Sequence, residues 1–415
     1  MTKIVIIGGG SYSWGPTFMR DVFATPELKG STIVLHDILQ ERVDLVHALG
    51  QKMIWDFGLD FHLEKTHSLD EALQGADFVI LTITTGRLES MRPDLEIPAK
   101  YGIRQSVGDT TGPGGLARAL RNIPVVAEIG RKVMEICPNA LFLNYTNPMT
   151  VLTRTLAMQG VKVVGLCHEW IGVREKLALI FGTAPENIQA QILSGEIKVD
   201  EEDTSVFTDH AKVKSTLFQL YGALPAAGDR HIAEFFPHFI NDSTNWGTDY
   251  DLKLTSIEDR EALEAFAKMM IESVLNGETD LKPFMEDIST EAANKIIRAV
   301  VSGENYIGIM NLPNMGQVSN LPCDAVVETY GVINSMGAHA TSYGEVPAGV
   351  QSILQKHISN QEMTIRSALA GDWELALQVL LNDPLSGRLT IPQARQLLHE
   401  LLEANKHCLP LFFGA

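Results

Sequence analysis

The chain has 415 residues, 45% of them hydrophobic, enough for one large core or two closely joined ones. Thirty-three Lys and Arg against 51 Asp and Glu leave a net charge of −18, which argues against nucleic acid and anionic membranes as partners. No apolar run is long enough to span a bilayer, residues 1–20 do not read as a signal peptide, and four scattered cysteines (Cys137, Cys167, Cys323, Cys408) do not suggest a disulfide framework, so a cytoplasmic enzyme is expected.

The run Lys3-Ile4-Val5-Ile6-Ile7 predicts a strand buried on both faces. It runs into Gly8-Gly9-Gly10-Ser11-Tyr12-Ser13 and a helix from about Pro16, which reads as G-x-G-x-x-S. In such a turn Gly8 permits the tight bend, Gly10 and Ser11 lie where backbone approaches a pyrophosphate, and Ser13 is the small residue between helix and strand. A second strand over residues 32–36 ends at Asp37, an acid placed to accept from a ribose 2′-OH and to repel a 2′-phosphate, so NAD is favoured over NADP. A glycine-rich turn alone can close a strand that binds nothing. Here strand, turn, helix and spaced acid agree.

Further strands are read at 78–83, 140–144 and 163–167, with helices near 40–57, 116–136 and 149–159. This alternation predicts an α/β fold: an N-terminal Rossmann-like, doubly wound parallel sheet over residues 1–190. Helical patterns at 258–276 and 362–380 predict a mainly helical α+β substrate domain over 191–415. In an open sheet of this kind ligands bind at the carboxyl ends of the strands. Thr84, Thr85, Asn144, Asn147, Cys167 and His168 all fall there.

Cys167-His168 pairs a thiol with an imidazole, a donor set for Zn, Mn or Fe. A buried cysteine beside a structural histidine is the commoner arrangement, but the position at a strand end favours ligation. Asn144 and Asn147 suit capping of the next helix, with Pro148 in its first turn, and Asn147 suits a substrate hydroxyl equally well. Residues 108–115 form a glycine-rich loop whose one acid is Asp109. A second such segment, 221–231, ends in Asp229-Arg230-His231, and a third spans 311–318.

Together these segments resemble glycoside hydrolase family 4, the NAD- and divalent-metal-dependent glycosidases. The likeness rests on Gly-Asp-Thr-Thr-Gly-Pro-Gly-Gly from Gly108, Asn-Tyr-Thr-Asn-Pro from Asn144, Cys-His-Glu from Cys167 and Gly-Asp-Arg-His from Gly228. Cys167-His168-Glu169 looks like the members acting on unphosphorylated sugars, and the wording of 101–109 and 225–231 looks most like the α-galacturonidases. The resemblance implies NAD held by Gly8, Gly10, Ser11, Asp37, Thr84, Thr85 and Asn144, and a divalent metal, Mn²⁺ first, on Cys167. It implies α-glycoside cleavage by C3 oxidation, elimination, water addition and re-reduction. Asp229 is the expected base and Asp109 the expected acid, with His168 as an alternative acid. Asn147, Arg87, Arg230 and His231 are expected at the sugar, and Arg87, Arg104 or Arg230 as a clamp for a uronate. A homo-oligomer, dimer or tetramer, is implied too.

One departure stands out. The family's Gly-x-Asn-His segment, whose histidine is the second metal ligand, is missing where Gln191–Gly195 runs directly into Glu196–Asp200. His210 and His231 are the possible substitutes. Three other readings stay open: an α-glucosidase of the same family, a net dehydrogenase of the lactate/malate type, and a non-catalytic member that only binds NAD or sugar.

Overall fold

In the computed structural model, which describes residues 1–167, 169–180, 184 and 211–414, six short strands form the parallel part of the sheet. They are β1 (Lys3–Ile7), β2 (Thr32–His36), β3 (His62–Thr66), β4 (Phe78–Leu81), β5 (Leu141–Asn144) and β6 (Val163–Gly165). Their order is β3-β2-β1-β4-β5-β6, the doubly wound arrangement with a switch point between β1 and β4. Alternation along β1 explains why a wholly apolar run is needed. Val5 and Ile7 join one core, Ile4 and Ile6 the other.

Among the described residues of this half lie the helices α1 (Trp14–Phe23), α2 (Gln40–Phe57), α3 (Leu69–Leu73), α4 (Arg87–Lys100), α5 (Gly112–Ile136), α6 (Met149–Ala157) and α7 (Glu169–Ile180). The second half of the chain covers both faces of the sheet. Ile365 and Ala368 of Ala348–Ala370, with Leu397 to Leu402 of Ile391–Ala404, pack beside α5 and α6. Ile271 and Val274 of Ile257–Leu275, with Ile296 and Ile297 of Ala293–Ser302, pack beside α1 and α2.

Two features of the second half of the chain differ from the sequence expectation. The sheet does not stop at β6: β7 (Tyr306–Pro313), β8 (Val326–Asn334) and β9 (Gly337–Ala340) extend it antiparallel to nine strands, joined where Gly165 pairs with Asn311. The helical pattern at 362–380 covers parts of two helices, because Asp372 caps Trp373–Asn382 by accepting from Leu375 N at 2.9 Å. Among the described residues no helix is long and apolar enough to cross a membrane.

Candidate active site

At the end of β1 the chain turns through Gly8, whose φ of +90° suits glycine, and a Cβ there would lie 2.1 Å from Thr82 O. The Gly8 and Gly9 amides both donate to His36 O at 2.9 Å, tying the turn to the end of β2. A Cβ on Gly10 would lie 2.7 Å from Asp37 Oδ2, which accepts from the Gly10 amide at 3.0 Å. The turn therefore leaves bare backbone beside an acid at the switch point, the cradle that a dinucleotide needs. Ser11 Oγ accepts from Trp14 N at 3.2 Å and holds the start of α1.

Ser13 is exposed and does not pack the helix on the strand. Gly15 has that role: a Cβ there would be 2.6 Å from Gly9 O and 2.9 Å from Val46 Cγ1. Beyond the turn lies a cavity of about 510 Å³ lined by Tyr12, Arg42, Arg87 and Glu264. The Arg42 guanidinium lies 4.1 Å from the centre of the Tyr12 ring. Glu264 accepts from Arg42 and, at 3.1 Å, from Arg87. Arg87 is thus committed on the nucleotide side and is not a free clamp for a sugar carboxylate.

At the strand ends a polar cluster forms around the first turns of α5. Arg118 donates to Asn147 O at 3.2 Å and to Thr84 Oγ1 at 3.3 Å, and its Nη1 lies 3.8 Å from Asp109 Oδ2. Asn122 accepts from Thr85 N at 3.1 Å and donates to Asn147 O at 2.9 Å. Asn147 reaches Asp109 Oδ2 at 3.4 Å, and Thr110 Oγ1 donates to Asp109 Oδ1 at 2.9 Å. Burial alone would raise the Asp109 pKa, but Arg118, then His231 and Thr110, outweigh it and hold the carboxyl below its usual range. That environment suits a carboxylate, not the acid expected from the sequence. Asn144 is fully buried, with its side chain spent on Thr146 and Thr153, so it shapes the turn after β5 and offers no amide to a cofactor.

Behind Asp109 stands Glu234, which sequence reading passed over. It is 1% exposed and accepts from Val107 N at 2.6 Å and Gly108 N at 3.0 Å. Burial is the main cause that pushes its pKa up to about 7. His231 Nε2 lies 3.4 Å from Glu169 Oε1, and Glu169 Oε2 accepts from Gly228 N at 2.9 Å. Burial would lower the His231 pKa, yet Glu169, with Asp109 and Glu234, raises it. His231 and Asp109 therefore share one electrostatic environment.

Asp229 and Arg230 are placed differently from the expectation. The Asp229 carboxylate accepts from Val213 N at 3.0 Å and Lys214 N at 3.3 Å, capping the helix Lys212–Tyr221. A carboxylate engaged by two backbone amides is a poor base, although burial raises its pKa. Arg230 donates to Ser106 O at 2.5 Å and Thr255 Oγ1 at 3.0 Å, and Arg104 stacks 4.2 Å from the centre of the Trp246 ring. Lys214, its pKa lowered by burial to about 8, donates to Pro225 O at 2.6 Å and to Ala227 O, fixing the loop that leads to Asp229.

Cys167 lies between β6 and α7, half-buried, its thiol pushed up by burial and then by the Glu328 carboxylate. Glu328 accepts from Asn311 at 3.2 Å, and its pKa rises to about 7, chiefly through burial. Cys167 also lines a cavity of about 200 Å³ with Arg174, Glu291, Lys295, Tyr306 and Tyr330. Among the described residues no group of three or more His, Cys, Asp or Glu side chains could hold a metal ion. Cys167 is therefore one donor, short of a complete shell. His168, His210 and the 191–200 stretch lie outside the described residues.

Arg118, Asn122 and Glu234 are the additions that sequence reading missed. Arg118 and Asn122 stand four residues apart on one side of a largely apolar helix, a spacing that carries a signal. Glu234 is the one acid inside the apolar run 232–236.

A model of the family 4 glycosyl hydrolases matches residues 3–183, and a model of their C-terminal domain matches residues 176–386. An α-galacturonidase of Bacillus subtilis is 33% identical, covering 97% of this chain and 97% of that protein. An α-galacturonidase of Thermoanaerobacter italicus is also 33% identical, over 98% of this chain and 97% of its own length. The first alignment spans 446 positions, more than the 415 residues of this chain, so that relative carries segments which this chain lacks. Among solved structures, the Bacillus subtilis protein LplD, provisionally assigned as a glucosidase, superposes with a TM-score of 0.86 at 32% identity, covering 97% of this chain and 100% of that one. A Thermotoga maritima 6-phospho-β-glucosidase solved with manganese, NAD⁺ and glucose-6-phosphate shares the fold at 24% identity, with a TM-score of 0.80 over 98% of this chain and 99% of its own.

Proposed function

The chain belongs to family 4 of the glycosyl hydrolases, and from that premise we propose that it hydrolyses α-galacturonides with NAD as a recycled cofactor. The observation that carries the substrate is the near full-length likeness to α-galacturonidases at 31–33% identity. An α-glucoside is the second reading, favoured by the likeness to LplD. A net dehydrogenase is set aside, because the family's reaction is hydrolysis.

Gly8, Gly10 and Asp37 would hold NAD, for there the backbone is bare and the acid waits beside it. When bound, NAD supplies a place for a hydride to go and return from, so that no net oxidation results. Cys167 is the donor we assign to a divalent metal, Mn²⁺ first. The described residues do not complete that shell.

The chain's own groups divide the proton work. Asp109, kept ionised by Arg118 and oriented by Asn147 and Thr110, takes a proton at Oδ2. His231, whose protonated form Glu169 favours, gives one from Nδ1, the ring nitrogen that Glu169 does not engage. Asn147 holds a sugar hydroxyl against Asp109. Glu234 braces the loop carrying Asp109 by accepting from Val107 and Gly108. Product analysis on digalacturonide against an α-glucoside, with and without NAD, tests both substrate and cofactor. Cleavage of the glucoside alone would keep the reaction and move the substrate.

A further inference from the structure

We propose that Arg174, with Lys295 across the cavity beside Cys167, forms the subsite that receives the carboxylate of the uronosyl substrate. The inference rests on the reading of the chain as an α-galacturonidase and names the group that would make it one. The three arginines that the sequence offered for this task are committed elsewhere: Arg87 to Glu264, Arg104 to Trp246 and Arg230 to Ser106 and Thr255.

Arg174 is not. It makes no hydrogen bond or ion pair among the described residues, and its Nε is buried without a partner. A carboxylate entering the cavity would meet an uncommitted guanidinium, whose planar fork suits two oxygens at once. The cavity is the right place. Its wall carries Cys167 from the end of β6, so a ligand seated there touches the strand-end site itself. Its volume of about 200 Å³ is below the ~300 Å³ where pockets for larger ligands begin, and suits one end of a single sugar.

Cations outnumber carboxylates in the lining. Two cations, Arg174 and Lys295, line the space with one carboxylate, Glu291. Tyr306 and Tyr330 add ring surface and hydroxyls suited to a sugar face. Lys295 is exposed and, among the described residues, reaches Thr290 O alone, at 3.4 Å, so it can turn to a second oxygen of the anion.

The test is calorimetric binding of galacturonate and of galactose to the full chain loaded with NAD, comparing wild type with Arg174→Gln, Arg174→Lys and Lys295→Met. Wild type is expected to prefer galacturonate. Arg174→Gln should lose about 30- to 100-fold in galacturonate affinity, collapse the preference over galactose, and keep its NAD affinity. Arg174→Lys should recover part of the loss, because it restores the charge without the fork. If Arg174→Gln proves unfolded, the Lys variant and Lys295→Met carry the test: galacturonate binding unchanged in both would overturn the subsite. Equal binding of the two sugars by wild type would also overturn it. Galacturonate binding that depends on Arg174, without hydrolysis of digalacturonide, would keep the subsite and sink the proposed reaction instead.

Discussion

Asp109 is a carboxylate almost without water, yet it stays ionised because an equally buried cation stands beside it. The Arg118 and Asp109 side chains are 8% and 10% exposed, so neither is screened by solvent. Asp109→Asn keeps the shape and removes the charge. Activity is expected to fall by about 10³-fold, with the melting temperature little changed, as measured by steady-state kinetics and thermal unfolding. A variant within a few-fold of wild type would remove Asp109 from the proton work. His231 invites a pH test. Glu169 raises its pKa, so the protonated ring survives to higher pH than a free imidazole would. In Glu169→Gln that support is gone, and the alkaline limb of the kcat/KM profile should move to lower pH. A limb that stays in place would show that His231 is not the proton donor.

Several elements are placed by single polar contacts. Asp94 on α4 accepts from Arg121 of α5 at 2.6 Å and from Asn405 at 3.1 Å, and both charged side chains are fully buried. Asp94→Ala would strand the Arg121 guanidinium, and urea unfolding should show a loss of about 3–5 kcal/mol. A loss below ~1 kcal/mol would mean that Arg121 finds another partner, such as Thr85 O, which it already meets at 2.8 Å. Elements were also where the sequence was most and least legible. The parallel strands buried on both faces announce themselves by unbroken apolar runs, as in β1 and β4, whereas the parallel edge strand β3 is mostly exposed and is not apolar throughout. The tail strands β7 to β9 lack that signature. β8 alternates buried and half-buried residues, so its place beside β7 comes from tertiary pairing that no local pattern encodes. The glycines of the first turn were legible, while the packing role fell to Gly15 in place of Ser13, because α1 begins closer to the turn than its apolar pattern suggests.

In the whole molecule one sheet of nine strands runs from the nucleotide turn to the last hairpin, and helices from the second half of the chain cover both its faces. Shared cores of this kind predict a single cooperative thermal transition, and NAD bound at the Gly8 turn should raise its midpoint with the logarithm of ligand excess. Two separated transitions, with only the first moved by NAD, would show that the halves unfold independently. At this scale residues of the motifs at 108, 144 and 228 meet in one cluster, where Asn147 reaches Asp109 and Asp109 acts on His231. They did not assign its roles, because the charge on Asp109 and the freedom of Asp229 depend on Arg118 and on the amides of Val213 and Lys214. The most direct test of the account is the release of galacturonate from α-1,4-digalacturonide by cofactor-stripped protein in Mn²⁺ and thiol reductant, with and without added NAD. Release is expected to start only when NAD is added, with no net NADH formed. Release at the same rate without NAD, or none in its presence, would contradict it.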